Sequence, residues 1–125
     1  MEQVWFITAE TGTDLIVSFA VRKLDYPEEI ESLTLLRTPK YEHLLPPEER
    51  GVSVSFERLA DPEEFGRKDL LVAARYDREG ETVHLTTQEH SFDLDVSKVD
   101  AGELDDMCKV MRRMNRGAAF LLTGF

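Results

Sequence analysis

Residues 81–116 read ETVHLTTQEHSFDLDVSKVDAGELDDMCKVMRRMNR, and the fold turns on how this stretch divides. Up to Val96 the apolar residues alternate with polar ones: Val83 and Leu85, then Phe92, Leu94 and Val96 after the polar turn at Gln88–Ser91. Period two is the repeat of a half-buried strand, so the first half predicts a β-hairpin. From Asp100 the period changes. Leu104, Met107, Cys108, Met111 and Met114 stand at i, i+3, i+4, i+7 and i+10, one stripe of a helix. Asp100 predicts the N-cap, and Glu103 three residues later completes the pattern of a capping box. Glu103, Asp105 and Asp106 fill the first turns, and Lys109, Arg112 and Arg113 the last, the order that the helix dipole favours. Asp105 and Lys109 have the spacing of an i,i+4 ion pair. Gly117 is placed to stop the helix.

Outward from this stretch the pattern is mostly β. Val4–Ala9 and Leu15–Leu24 predict two strands joined by the polar turn Glu10–Asp14. Residues 28–37 admit two readings. Pro27 followed by two glutamates resembles a helix start. Ser32–Arg37 is rich in β-formers, however, and Pro39 disfavours a helical Thr38, so a loop and then a strand is preferred. Lys40–Arg50 is a connection with one helical turn at its end, anchored on the core by Leu44 and Leu45. Val52–Leu59 alternates, with Val52, Val54 and Phe56 inward. Residues 60–69 are loop-like, with a possible helical turn at Asp61–Glu64. Leu70–Tyr76 is almost continuously apolar, as a strand covered on both faces would be. Ala118–Thr123 is a last strand or a packed tail. Strands in meanders and one long helix predict a single α+β domain over residues 1–125. It would be a mostly antiparallel sheet of about six to eight strands with the C-terminal amphipathic helix on one face.

The chain has 125 residues, 42% of them hydrophobic, and a net charge of −10 from 25 acidic and 15 basic residues. These are the values of one globular domain. The single cysteine, Cys108, excludes an internal disulfide and fits a reducing compartment. The first residues, MEQVWFITAETG, lack the basic and apolar regions of a secretory signal, and no apolar run reaches the ~18 residues of a membrane span. A soluble cytoplasmic protein is the expectation. The negative field opposes nucleic acid and anionic lipid and attracts basic partners. Lys109, Arg112, Arg113 and Arg116 form a basic patch against this trend. The helix dipole accounts for it without a ligand.

Catalytic and metal chemistry find little support in the sequence. His84 faces outward, and His90, if extended, has the parity of Phe92 and Leu94 and faces the other side, so the two share no ion. No metal and no cofactor is expected. Cys108 lies on the apolar stripe, where a small core residue belongs. No serine has a nucleophile-elbow context, and the glycines are scattered singly, so no phosphate-cradling loop appears. The methionines of the stripe read as core filler, with an adaptable binding face as the alternative. Asp93 and Asp95 point outward from one strand, about 7 Å apart by strand geometry. Two functions remain. The first is a non-enzymatic interaction protein of immunity or inhibitor type, holding a basic protein partner through Asp93, Asp95, Glu57, Glu48, Glu49, Glu63 and Glu64. The second is a ligand-binding domain or enzyme with a pocket between sheet and helix, lined by Tyr41, His43 and Arg75.

Overall fold

The computed structural model describes residues 1–59 and 68–125. Its strands are β1 (Glu2–Glu10), β2 (Leu15–Arg22), β3 (Ile30–Arg37), β4 (Ser53–Phe56), β5 (Asp69–Asp77), β6 (Thr82–Thr87), β7 (Ser91–Asp95) and β8 (Leu121–Thr123). The one α-helix among the described residues, α1, spans Ala101–Met114. The fold is α+β, mostly antiparallel, as the alternation and the helical stripe predict. The ambiguity at residues 28–37 resolves as a strand, because β3 pairs with β2 along its whole length, from Leu15↔Arg37 to Arg22↔Ile30. Pro39 then opens a short 3-10 segment, Pro39–Leu44.

The sheet closes on itself. β4 to β1 pair in reverse chain order, β1 joins β7, and β7, β6 and β5 follow; β5 then meets β4 through Ser53↔Leu70 and Val54↔Asp69. Seven strands thus make a ring, and their inward side chains share one core. Val4, Val17, Phe19, Val21, Leu33, Leu35, Val83, Leu85 and Leu94 are all fully buried in it. Two short joints hold the ring shut, the second being the parallel pair Glu2↔Leu94 and Gln3↔Asp95. β8 takes the rest of the β5 edge in parallel, from Ala73↔Leu121 to Arg75↔Thr123.

Local expectations fail at β5 and at Leu44. β5 is not covered on both faces: Val72 is 46% exposed. A register shift between Leu71 and Ala73 turns the strand, so that Leu71, Ala74 and Tyr76 all reach the core. A bulge inserts one residue without a partner, and that hides the alternation in the sequence. Leu44 does not anchor its loop; it ends the 3-10 segment and is 71% exposed.

Helix α1 packs on β1 and β2. Asp100 caps it, its carboxylate accepting from the Gly102 N–H at 3.0 Å. Glu103 does not complete a capping box. Its Oε1 accepts from the Ile7 N–H of β1 at 2.8 Å, on the edge that the two-residue joint to β7 leaves open. The helix thus satisfies a strand edge that has no strand beside it. Met107, Met111 and Met114 are fully buried, and Cys108 and Val110 nearly so. The methionines are core, and truncating one would cost about 2–5 kcal/mol. The chain after β8 crosses close to Tyr76. Gly124 has φ +84, and a Cβ there would collide with the Tyr76 carbonyl. Only glycine fits that crossing.

Candidate functional site

The site forms where the β1–β2 turn faces the last turns of α1, and Arg37 fixes the helix side of it. This side chain stands at the end of β3. Its Nε and Nη2 donate to the two carboxylate oxygens of Glu42 at 2.8 and 2.9 Å. Its Nη1 donates to the Met114 carbonyl and, at 2.9 Å, to that of Arg116. The guanidinium therefore ties β3 to the C-terminal end of the helix. The same contact puts a positive charge on carbonyls that would otherwise present the negative end of the dipole. The Arg37 hydrogen bond holds the Glu42 carboxyl below the usual carboxylate range, against some desolvation. The β1–β2 turn is fastened beside it, because the Thr38 hydroxyl donates to Asp14 at 2.7 Å.

Between turn and helix lies a cleft of two adjoining chambers. The first, about 630 Å3, is lined by Ala9, Thr11, Asp106, Lys109, Val110, Arg112, Arg113 and Arg116. The second, about 410 Å3, is lined by Gly12, Thr13, Leu15, Arg37, Pro39, Lys40, Arg113 and Arg116. Both volumes fall in the range of small-ligand sites. The charge is the notable property. Among the described residues, the side chains of Lys109, Arg112, Arg113 and Arg116 make no hydrogen bond or ion pair. The expected Asp105–Lys109 pair does not form. Dipole complementation rationalises a base in the last turn at about 0.3–1 kcal/mol each. It says nothing about why these bases share a cavity, and Arg116 stands two residues beyond the helix end.

The residues expected to line a pocket lie elsewhere. Tyr41 borders a different depression, with Leu36, Glu42 and Leu45. His43 is exposed, and its carbonyl accepts from Arg50. Arg75 is exposed on β5, opposite His84 in the ladder. The expected acidic surface is dispersed. Glu57 follows β4 at the end of the ring where β3 begins, whereas Glu48 and Glu49 precede β4 at the other end. Asp95 is occupied: hydrogen bonds from Ser97 hold its carboxyl below the usual range. Asp93 Oδ1 is paired with His84 Nδ1 at 2.5 Å. Glu63 and Glu64 lie outside the described residues, as does the turn expected at 61–64. The members of the cleft that the sequence did not mark are Thr11, Thr13, Arg37 and Lys40.

Two further constellations arise from pairing across strands. Thr82 Oγ1 lies 3.2 Å from His84 Nε2, whose Nδ1 meets Asp93. The order hydroxyl, imidazole, carboxylate is that of a hydrolase triad. Here it occupies the outer face, opposite in parity to the buried Val83 and Leu85, and borders neither chamber. A hydrolase would need a water-excluding site beside it. The second group is Asp69, Glu89 and His90, whose potential ligand atoms lie within 4.8 Å of one another. Such a set can hold a cation. The Asp69 carboxylate already accepts from the Thr87 hydroxyl at 2.5 Å and the Glu89 N–H at 3.2 Å, and His90 Nδ1 lies 3.1 Å away. It shapes the β6–β7 turn. His84 and His90 thus have separate carboxylate partners, and His90 lies in the turn before β7, where strand parity does not apply.

Cys108 is 4% exposed, and burial pushes its thiol pKa up despite nearby Arg78 and Arg112. It has the character of a core residue and not of a nucleophile. No helix among the described residues is long and apolar enough to cross a membrane. Comparison with protein-family models, with curated proteins and with solved structures finds no match for the chain.

Proposed function

We propose that this protein is a small binding domain whose principal site takes an anionic ligand in the cleft between the β1–β2 turn and the end of α1. The reading keeps the position expected for a pocket, between sheet and helix, and replaces its lining. One observation carries it: four bases without acidic partners among the described residues converge on one cavity in a chain where acids outnumber bases 25 to 15. Arginines suit carboxylate or phosphate, which their planar fork can grip with two bonds. Titration with a panel of small anions, followed by amide chemical shifts, tests it. Shifts are expected at residues 11–13 and 109–116 and should vanish in the triple variant Lys109→Ala, Arg112→Ala, Arg116→Ala. A panel that moves none of those amides would sink the reading.

A second reading retains the first expectation, a cytoplasmic interaction protein of immunity or inhibitor type that captures a basic protein. Its support is the net charge of −10 together with the exposure of Glu48 and Glu57. It predicts partner capture that weakens steeply with salt and is indifferent to the triple variant.

A further inference from the structure

Resting on the anion-site reading, we infer that the cleft takes a short chain of linked phosphates laid across both chambers. Valence is the first reason. Lys40, Lys109, Arg112, Arg113 and Arg116 contribute five positive charges to the two chambers. A lone phosphate leaves most of their mutual repulsion in place, whereas linked phosphates add charge with each group. The Arg37–Glu42 pair is internally neutral and leaves that balance unchanged. Shape is the second reason. Arg113 and Arg116 border both chambers, so a ligand that uses the whole cleft is elongated and has its middle at these two side chains.

The wall chemistry narrows the class further. Thr11 and Thr13 offer hydroxyl donors, and among the described residues no aromatic ring lines either chamber. Recognition of a strand of bases normally uses stacking platforms, and here there is none. Length is limited from outside, because a long polyanion leaving the cleft would meet a surface with ten surplus negative charges. Asp106 is the one acid in the lining among the described residues, and it is on the N-terminal side of Lys109. It steers the phosphates towards Arg112, Arg113, Arg116 and Lys40. The shared chemistry is a run of two or more phosphates, free or at the end of a larger molecule.

The test is calorimetric titration of the full chain, at low salt, with orthophosphate, pyrophosphate, tripolyphosphate and ATP. Affinity should rise from orthophosphate to tripolyphosphate by at least about tenfold, the effect of one further charge-assisted contact. Lys40→Ala in the second chamber and Lys109→Ala in the first should each weaken tripolyphosphate by about tenfold on the same basis. Both side chains are exposed, and unchanged thermal melting will certify the fold. ATP equal to tripolyphosphate identifies the phosphate end of a larger molecule as an acceptable source; ATP at least tenfold weaker identifies the free chain. Tripolyphosphate no tighter than orthophosphate overturns the inference and leaves the anion site standing, as does either lysine variant binding tripolyphosphate normally. Absence of binding by every compound overturns both.

Discussion

The two ends of the strand ring treat the same side chains in opposite ways. At one end, where β1 begins and β2 finishes, bases find acids. Arg58 reaches Glu2 and Glu31, each at 2.6 Å, Lys23 meets Glu29 at 3.0 Å, and Arg22 donates to Gln3. At the other end Arg37 finds Glu42, but Lys109, Arg112, Arg113 and Arg116 find nothing among the described residues. In a chain with this surplus of acids, pairing is the easy outcome. The matched end is therefore explained by folding, and the unmatched end calls for a ligand. On the proposed reading, stability and binding belong to different ends of one small molecule.

Breaking the matched end should have the largest effect on stability. Glu31 is 8% exposed, and Arg58 is its ion-pair partner. Arg58 also covers the Phe56 ring at 4.9 Å. Arg58→Ala leaves a nearly buried carboxylate without a counter-charge, and chemical denaturation should show a loss of about 2–3 kcal/mol, somewhat discounted for the partial exposure of the pair. Anion binding at the far end should be unchanged. A loss below 0.5 kcal/mol would mean that the matched end is no more structural than the other.

How much of this was legible in the sequence depends on how local each feature is. The helix was legible because its stripe, its cap and its charge order all lie within fifteen or so residues of each other. β3 was legible through Pro39 and the run of β-formers. Ring closure was not, because it rests on two joints of two residue pairs each, between strands whose own patterns say nothing about partners. The basic patch could be read, but its cleft could not. Ala9, Thr11 and Thr13 come to it from about a hundred residues away, and the Arg37 clamp depends on where a strand end meets a helix end. Glu103 shows the same limit: its spacing from Asp100 fitted a cap, and the β1 edge claimed it instead.

The pair that bridges the two behaviours, Arg37–Glu42, carries the next effect. Glu42 titrates below its ordinary value of 4.5 because Arg37 hydrogen-bonds the ionised form. A depressed folded pKa contributes stability that is fully present above the unfolded pKa and is lost as pH falls through the folded one. The wild type should therefore lose stability on acidification below about pH 4.5, and Glu42→Gln should flatten that part of the curve. Near neutral pH the variant should be weaker by about 1–2 kcal/mol, since one charge-assisted partner of Arg37 is gone. An identical acid limb in the variant would remove Glu42 from the account of how the helix end is held.

Asp95 gives a smaller version of the same effect. Ser97 donates to it and keeps its carboxyl low, yet the group is largely solvated. By the same sign, its contribution is present above the ordinary carboxylate range and lost below it. Asp95→Asn should cost under about 1 kcal/mol near neutral pH, measured by the shift in denaturation midpoint. A larger loss would give the β7 end a structural weight that its exposure does not suggest.

The smallest expected change in stability is the most informative, because it repeats the Arg58 substitution at the unmatched end. Arg112 and Arg116 are exposed, make no hydrogen bond or ion pair among the described residues, and border the same chamber. Like charges this close repel by a few tenths of a kcal/mol, about the 0.2–0.5 kcal/mol seen for neighbours on a helix surface. Against this, losing a base near the helix terminus forfeits about 0.3–1 kcal/mol of dipole interaction, a term that Arg37 already supplies from β3 by capping the Met114 and Arg116 carbonyls. The two contributions nearly cancel, so Arg112→Ala, Arg116→Ala should unfold within about 0.5 kcal/mol of the wild type. Adding a multivalent anion then separates the ends. A ligand that binds only the folded state stabilises by RT ln(1 + [L]/Kd), about 2.7 kcal/mol at a hundredfold excess over Kd. The wild type and Arg58→Ala should both gain that increment, and the double variant should gain almost none. If the double variant loses as much intrinsic stability as Arg58→Ala, the unpaired cations are structural, and the contrast between the two ends disappears.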